Sequence, residues 1–330
     1  MPAVPRVSVI VPNYNHHRFL PERLDSILGQ TFRDFELLLL DDASTDGSLD
    51  VLRSYAERTG ARLIVNDCNS GSPFHQWNRG VQEARGELVW IAESDDVATP
   101  ELLARLVAEL DRDPQHGLAS CESLVIDETS RVIGPFSRDT FKNSADHWAS
   151  DFTNDGRREI VEALYFSNTI ISASGCVFRR QVYLDAGLAD ASYALAGDYL
   201  QWVKLLLRSS FCFVASPMNF TRVHTGTQRI ATANDGRREL EILAAQKWMR
   251  GQMKFDKELV RAAASRQAVS WLQGVRAGRY SGPFHRHLSC FWGLFQASPR
   301  VALRFLGSFP YCLLAWFLKR TLFSRHDQPS

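Results

Sequence analysis

Three carboxylates fall within four residues at Glu93-Ser94-Asp95-Asp96, directly after the apolar run Leu88-Val89-Trp90-Ile91-Ala92. A continuous apolar run of this length, following Gly86, reads as a strand buried on both faces. The acids then sit at its carboxyl end, where open α/β sheets hold their ligands. Carboxylates crowded there repel one another unless one takes a proton or a cation sits among them. A hard divalent ion bound by oxygen is one resolution; a solvated acidic turn before a helix near Thr99 is the other. A second acidic pair, Asp41-Asp42, ends another stretch that reads as a buried strand, Phe35 to Leu40.

The elements around these acids alternate. Val7 to Val11 is a β-branched run that ends in the polar turn Pro12-Asn13-Tyr14-Asn15. Phe19, Leu20, Leu24, Ile27 and Leu28 follow at helical spacing. After Asp41-Asp42, Ser44 or Thr45 is placed to cap the helix that carries Leu49, Leu52 and Tyr55. Arg62 to Val65 reads as a third strand, and Phe74 to Arg85 as a helix that leads into Leu88. Leu102, Leu103, Leu106, Val107 and Leu110 stripe the helix beyond the acids. Strand and helix in alternation, with strands ending in acids, predict a parallel α/β sheet with ligands along one edge. Neither GxGxxG after the first strand nor GxxxxGK[ST] anywhere is present, which disfavours a dinucleotide dehydrogenase and a P-loop ATPase. Phosphates would have to be met largely through a metal.

Leu118 to Ile126 is a further strand-like run. Residues 127–157 are polar and irregular, the length and composition of a binding loop or lid. A helix is expected over Ile160 to Phe166, a strand over Gly175 to Phe178, and a helix around Gly197-Asp198. Two short strands, Phe211 to Val214 and Phe220 to Val223, lead to His224. From about Asp235 strand signals vanish, so a boundary is expected near residue 234, ahead of a helical region, 235–330.

The 330 residues carry a net charge of +1. From Leu259 to Ser330 there are ten Arg or Lys and one acid, Asp327, leaving −8 on the rest of the chain. The acidic part suits a cation; the basic part suits an anionic surface, and no nucleic-acid partner is expected. The six cysteines are scattered without a CxxC pair, as in a reducing compartment, and Arg6 is followed at once by a strand pattern rather than a leader. A cytoplasmic protein is expected. The longest uncharged run, Phe305 to Leu318, is too short to span a bilayer, which takes roughly 18 or more residues. It reads either as an interfacial segment on the inner face of the plasma membrane or as an ordinary helical cap.

Ser8-Val9-Ile10-Val11-Pro12-Asn13-Tyr14-Asn15, Asp41-Asp42-Ala43-Ser44-Thr45-Asp46-Gly47-Ser48 and Glu93-Ser94-Asp95-Asp96 together resemble the family 2 glycosyltransferases over roughly residues 5–230. The resemblance implies the GT-A fold, a nucleotide-diphospho-sugar sandwich with a mostly parallel central sheet. Residues 1–234 become its catalytic domain, with a nucleotide-sugar half at 1–126 and an acceptor half at 127–234. It implies that Pro12 and Tyr14 flank the nucleotide base and that Asp42 contacts base or ribose. Asp95 then faces the ribose and Asp96 binds Mn²⁺ or Mg²⁺, while Glu93 stands in the outer place of the motif with its role open. Asp198 matches the general base, against the plainer reading of a helix cap, and His224 matches a late histidine that is sometimes a ligand of the metal or the diphosphate. Arg222 or Arg229 could meet that diphosphate. Asn78 and Gly80 read as scaffold, Trp202 as core, and His16 and His17 as solvated surface.

The implied enzyme is a metal-dependent inverting transferase. It moves a sugar from a nucleotide donor, UDP- or dTDP-type, to a glycan or lipid-linked acceptor in surface polysaccharide synthesis. A nucleotidyltransferase of the same sandwich class, or a non-catalytic relative that binds nucleotide-sugar or glycan, are the alternatives.

Overall fold

A computed structural model describes residues 4–136, 145–224, 235–277, 280 and 284–307. Arg229, the expected boundary at 234 and most of the run Phe305 to Leu318 lie outside the described residues.

The first strands are the apolar runs. β1 (Val7–Asn13) is buried at every position and is followed by α1 (Leu20–Leu28). β2 (Phe35–Asp41), α2 (Ser48–Thr59), β3 (Arg62–Val65), α3 (Pro73–Glu83) and β4 (Leu88–Ile91) complete the expected alternation. β5 (Val97–Ala98), α4 (Leu102–Asp111) and β6 (His116–Ile126) follow. The stretch expected as an irregular loop contains β7 (Val132–Pro135), which doubles back on β6, and β8 (Phe152–Asn154), which pairs further on. α5 (Gly156–Glu159) runs into one π turn, Ile160–Leu164. β9 (Cys176–Arg179), α6 (Arg180–Asp185), α7 (Gly197–Leu206) and β10 (Ser210–Arg222) close this part of the chain. β10 is one strand where two were expected. Its register shifts on either side of Pro217, whose missing N–H interrupts the ladder without ending it.

The sheet order is β3-β2-β1-β4-β9-β6-β10-β5. β9 is antiparallel to both neighbours, β4 and β6. β1, β2, β3, β4, β6 and β10 therefore all point the same way, with their carboxyl ends along one edge. The helices hold that edge in place by close packing. A Cβ on Gly80 would lie 2.4 Å from Ile10 Cγ2, so α3 sits against β1 at a distance only glycine allows. Asn78, on the same helix, donates to Ala189 O and accepts from Tyr183 Oη, which ties α3 to the chain after α6. Trp202 is fully buried.

The chain packs as two compact units. The sheet and its helices make the first: residues 1–164, 168–192 and 197–224. The second is built on α8 (Arg237–Gln252), α9 (Lys257–Arg276), α10 (Phe284–Ala297) and α11 (Pro299–Leu306). Its core gathers Leu243, Trp271, Tyr280, Cys290, Leu294 and Phe305. Asp256 caps α9 by accepting from Glu258 N and Leu259 N. The Glu241 carboxylate in this unit accepts the backbone N–H groups of Ala194, Leu195 and Ala196, each at 2.8 Å.

Candidate active site

The loop after β1 is shaped by Asp41. Asn13 Nδ2 donates to Asp41 Oδ1 at 2.9 Å and to Ser44 Oγ at 3.0 Å, and Ser44 N donates to Asp41 Oδ2 at 2.9 Å. Asn15, in the left-handed region at φ 57°, donates its N–H to Ser44 Oγ. Ser44 is thus spent on the β1 loop, and neither it nor Thr45 caps α2. That helix starts from Gly47 at φ 87°, with Asp46 accepting Ser48 N–H. Pro12 is buried at the end of β1, while Tyr14 stands 44% exposed on the loop. Asp42 is buried, its carboxylate taken by Asn66 Nδ2 at 2.6 Å, Gln76 Nε2 at 2.7 Å, and the N–H and hydroxyl of Ser70. It binds the 66–72 loop and the first turn of α3 to the end of β2.

After β4 the three acids part company. Glu93 accepts from the Trp77 indole N–H at 2.7 Å. Burial, and then the charge of Asp95, push its pKa up to about 8. Asp96 is turned inward: Arg222 N donates to Oδ1 at 2.9 Å and Ser172 Oγ to Oδ2 at 3.2 Å. Burial and the neighbouring Asp95 raise it to about 6. Asp95 instead faces two imidazoles. His224 Nε2 lies 3.2 Å from Asp95 Oδ2, and ligand atoms of His16, Asp95 and His224 all lie within 4.8 Å of one another. Burial works to raise the Asp95 pKa, but the His224 hydrogen bond and the two imidazoles hold it below the ordinary carboxylate value.

Two readings from the sequence, those of His16 and Arg222, are corrected by where the side chains lie. Ligand atoms that could hold a cation converge at His16, Asp95 and His224, while the Asp96 oxygens accept from the Arg222 N–H and Ser172 Oγ. His16 is not solvated surface but half-buried beside them; His17 is exposed. Arg222 does not face outward to a diphosphate either. Its guanidinium donates to Asp95 O, Asp127 O, Ser130 Oγ and Glu22 Oε2, and it packs 4.9 Å from the Phe19 ring centre, clamping the loops after β4 and β6 onto α1. Beneath the acids lies Arg23, fully buried on α1, 4.7 Å from the Trp90 ring and within the field of Asp96, Asp95 and Glu93. Its guanidinium nitrogens have no hydrogen-bond partner among the described residues, and burial lowers its pKa to about 10.

Asp198 lies in the first turn of α7, where Asn168 Nδ2 approaches its Oδ2 at 3.4 Å. Gly197 precedes it against Phe74, and a Cβ there would meet that ring at 2.4 Å. The segment 168–174 joins Asp198 to the acid loop. Asn168 contacts Asp198, Ser172 contacts Asp96, and Ser174 Oγ accepts Glu93 N–H at 3.0 Å. Asn219 of β10 in turn reaches Ser172 and Ser123. Asn168, Ser172 and Ser174 were not singled out from the sequence, where they sit in an unremarkable polar stretch.

The sequence profile described as glycosyl transferase family 2 matches residues 8–186, more than half the chain. The chain belongs to glycosyl transferase family 2. The nucleotidyltransferase alternative falls with that membership. An uncharacterized protein of Mycobacterium tuberculosis is 27% identical over 292 residues, covering 86% of this family 2 chain and 88% of its own. A PGL/p-HBAD biosynthesis glycosyltransferase of the same species is 34% identical over 150 residues, 44% of this chain and 59% of the relative. The match thus spans little more than half of that glycosyltransferase. Among solved structures, S. aureus TarS 1–349 in complex with UDP-GlcNAc aligns with a TM-score of 0.68 at 18% identity, over 90% of this chain and 82% of that one. The mannosyltransferase PcManGT from Pyrobaculum calidifontis, in complex with GDP-Man and Mn²⁺, gives 0.57 at 19% identity over 98% and 89%. At these identities the likeness is one of fold, and the fold is the GT-A sandwich of glycosyltransferases.

Proposed function

We propose that this family 2 glycosyltransferase moves a sugar from a UDP- or dTDP-type donor to an acceptor hydroxyl, with inversion and with a divalent cation at Asp95 and His224. The observation that carries the reading is the segment 168–174, which touches the general-base candidate Asp198 at one end and the acid loop at the other. A carboxylate flanked by imidazole fits a Mn²⁺- or Mg²⁺-sized dication. Such an ion would neutralise charge on the departing nucleoside diphosphate as a Lewis acid.

The chain's own residues do the rest. Tyr14, exposed on the loop after β1, offers a ring face to the base, with Pro12 behind it. Asp42 anchors the loop that walls the nucleotide side. Asp198, steadied by Asn168, takes the proton of the acceptor hydroxyl as that oxygen attacks the anomeric carbon opposite the leaving group. A positioned base of this kind is worth roughly 10²–10⁴ in rate. The acceptor is a glycan or lipid-linked sugar of a cell-surface polymer, a reading supported by the basic, aromatic residues of the second unit.

The test is release of nucleoside diphosphate from a panel of UDP-, dTDP- and GDP-sugars, with Mn²⁺ and with chelator. Metal-dependent release from one donor class is expected. Asp198→Asn should lower it by about 10²–10⁴ while calorimetric nucleotide affinity holds within a few-fold. Near-normal turnover in Asp198→Asn removes the base assignment. Nucleotide-sugar binding without any release points to the non-catalytic alternative.

A further inference from the structure

We propose that His16 is a third protein ligand of the ion held at Asp95 and His224, and that this two-imidazole, one-carboxylate set selects a transition-metal dication over Mg²⁺. The inference rests on the metal reading above and adds to it a residue and a preference.

Three separate elements deliver the three side chains to one place. His16 follows β1, Asp95 follows β4, and His224 follows β10, all at carboxyl ends on one edge of the sheet. Their ligand atoms lie within 4.8 Å of one another, close enough for one ion to draw them together. The His16 and His224 rings are 5.3 Å apart and nearly perpendicular. Phe19, almost wholly buried, packs against both, at 6.1 Å from His16 and 4.7 Å from His224.

Ser94 supplies the support a ligand needs. Its hydroxyl lies 2.8 Å from His16 Nδ1, which fixes the ring and leaves Nε2 as its remaining donor. Outer partners of this sort are usual for ligating histidines. Ser94 lies between Glu93 and Asp95, so one short loop provides both a ligand and the anchor of another.

The donor set has a consequence. Mg²⁺ prefers oxygen and parts reluctantly with water, whereas imidazole nitrogen favours later first-row ions in the order Mn²⁺, Co²⁺, Zn²⁺. Two nitrogens out of three protein donors should tilt the site toward Mn²⁺ and Co²⁺. The remaining coordination positions stay available to diphosphate oxygens and water.

The experiment uses the full chain labelled with ¹⁵N-histidine, loaded with Mn²⁺, and read by pulsed electron paramagnetic resonance. Two histidine nitrogen couplings are expected in the unsubstituted protein, a result that does not depend on any variant folding. His16→Gln should leave one coupling. It should weaken Mn²⁺ and Co²⁺ binding by about tenfold or more and change Mg²⁺ binding far less, so that the Mn²⁺ to Mg²⁺ preference collapses. His17→Gln, at the exposed neighbour, should change neither reading. A single coupling in the unsubstituted protein, or unaltered couplings and affinities in His16→Gln, overturns the assignment of His16 and leaves the Asp95–His224 reading standing. If the unsubstituted chain binds no Mn²⁺ at all, both fall together.

Discussion

Asp95 and Asp96 are adjacent in sequence and opposite in role, because consecutive residues after a strand point in different directions. Asp95 faces imidazoles; Asp96 accepts from Arg222 N and Ser172 Oγ in the protein interior. Two substitutions separate the roles. Asp95→Asn should weaken Mn²⁺ binding by at least about tenfold and leave unfolding little changed. Asp96→Ala leaves the Arg222 N–H without its acceptor in the interior, and a buried donor left unsatisfied costs about 1–3 kcal/mol. It should therefore lower urea stability and leave Mn²⁺ affinity within a few-fold. The opposite pattern would return the metal to Asp96. That the motif crowds carboxylates at a strand end, where a cation would relieve their repulsion, was legible from the sequence. Which acid turns inward was not, because it depends on the direction of β10's backbone N–H more than a hundred residues later. The half-buried place of His16 was missed for the same reason: the imidazole it packs against is at residue 224.

At the scale of elements, short apolar stretches bounded by polar turns identified β1, β2 and β4, because strands buried on both faces carry near-continuous apolar side chains. The irregular parts were less legible. Ser44 has a cap's composition but a loop's hydrogen bonds, and α5 with its π turn occupies a stretch read as a plain helix beginning at Ile160. That junction stores a charge problem. Glu159 is fully buried, with Oε2 accepting from Asn154 Nδ2 at 2.9 Å and Oε1 without a hydrogen-bond partner among the described residues. Burial raises its pKa from 4.5 to about 7. In the unfolded chain the group ionises near its ordinary value; in the folded protein it keeps its proton until near neutrality. This group's contribution to stability is thus present at low pH, declines as pH rises from about 4.5 to about 7, and is lost above that. Glu159→Gln resembles the protonated form at every pH. Denaturant unfolding should show it about 1–3 kcal/mol more stable than the parent at pH 8 and near parity at pH 4.5. A variant as pH-sensitive as the parent would locate that sensitivity elsewhere.

For the molecule as a whole, the legible feature was the separation of charge, since net charge needs no geometry. The structure adds where part of the basic region stands in the second unit. Trp292 is 57% exposed on α10 and Leu303 60% on α11, with Arg300 and Arg304 exposed as well. Trp292 stacks on Phe295 at 5.7 Å. No helix among the described residues is long and apolar enough to cross a membrane. Aromatic and aliphatic side chains beside arginines on a surface helix suit the boundary of an anionic bilayer. Each arginine near such a surface contributes about 1 kcal/mol, so replacing Arg300 and Arg304 with Gln should reduce binding to vesicles rich in anionic lipid by more than about tenfold. Adding Trp292→Ser should reduce it further, through lost apolar contact rather than charge. The parent's binding should weaken as salt rises, because surface charges are screened within about 8–10 Å at physiological ionic strength, and it should be slight on neutral vesicles. All three substituted positions are exposed, which keeps the fold out of the comparison: donor hydrolysis in solution should be unchanged. If the arginine variant sediments with anionic vesicles as fully as the parent, or if the parent ignores salt, these helices serve some end other than holding the transferase at a lipid-linked acceptor.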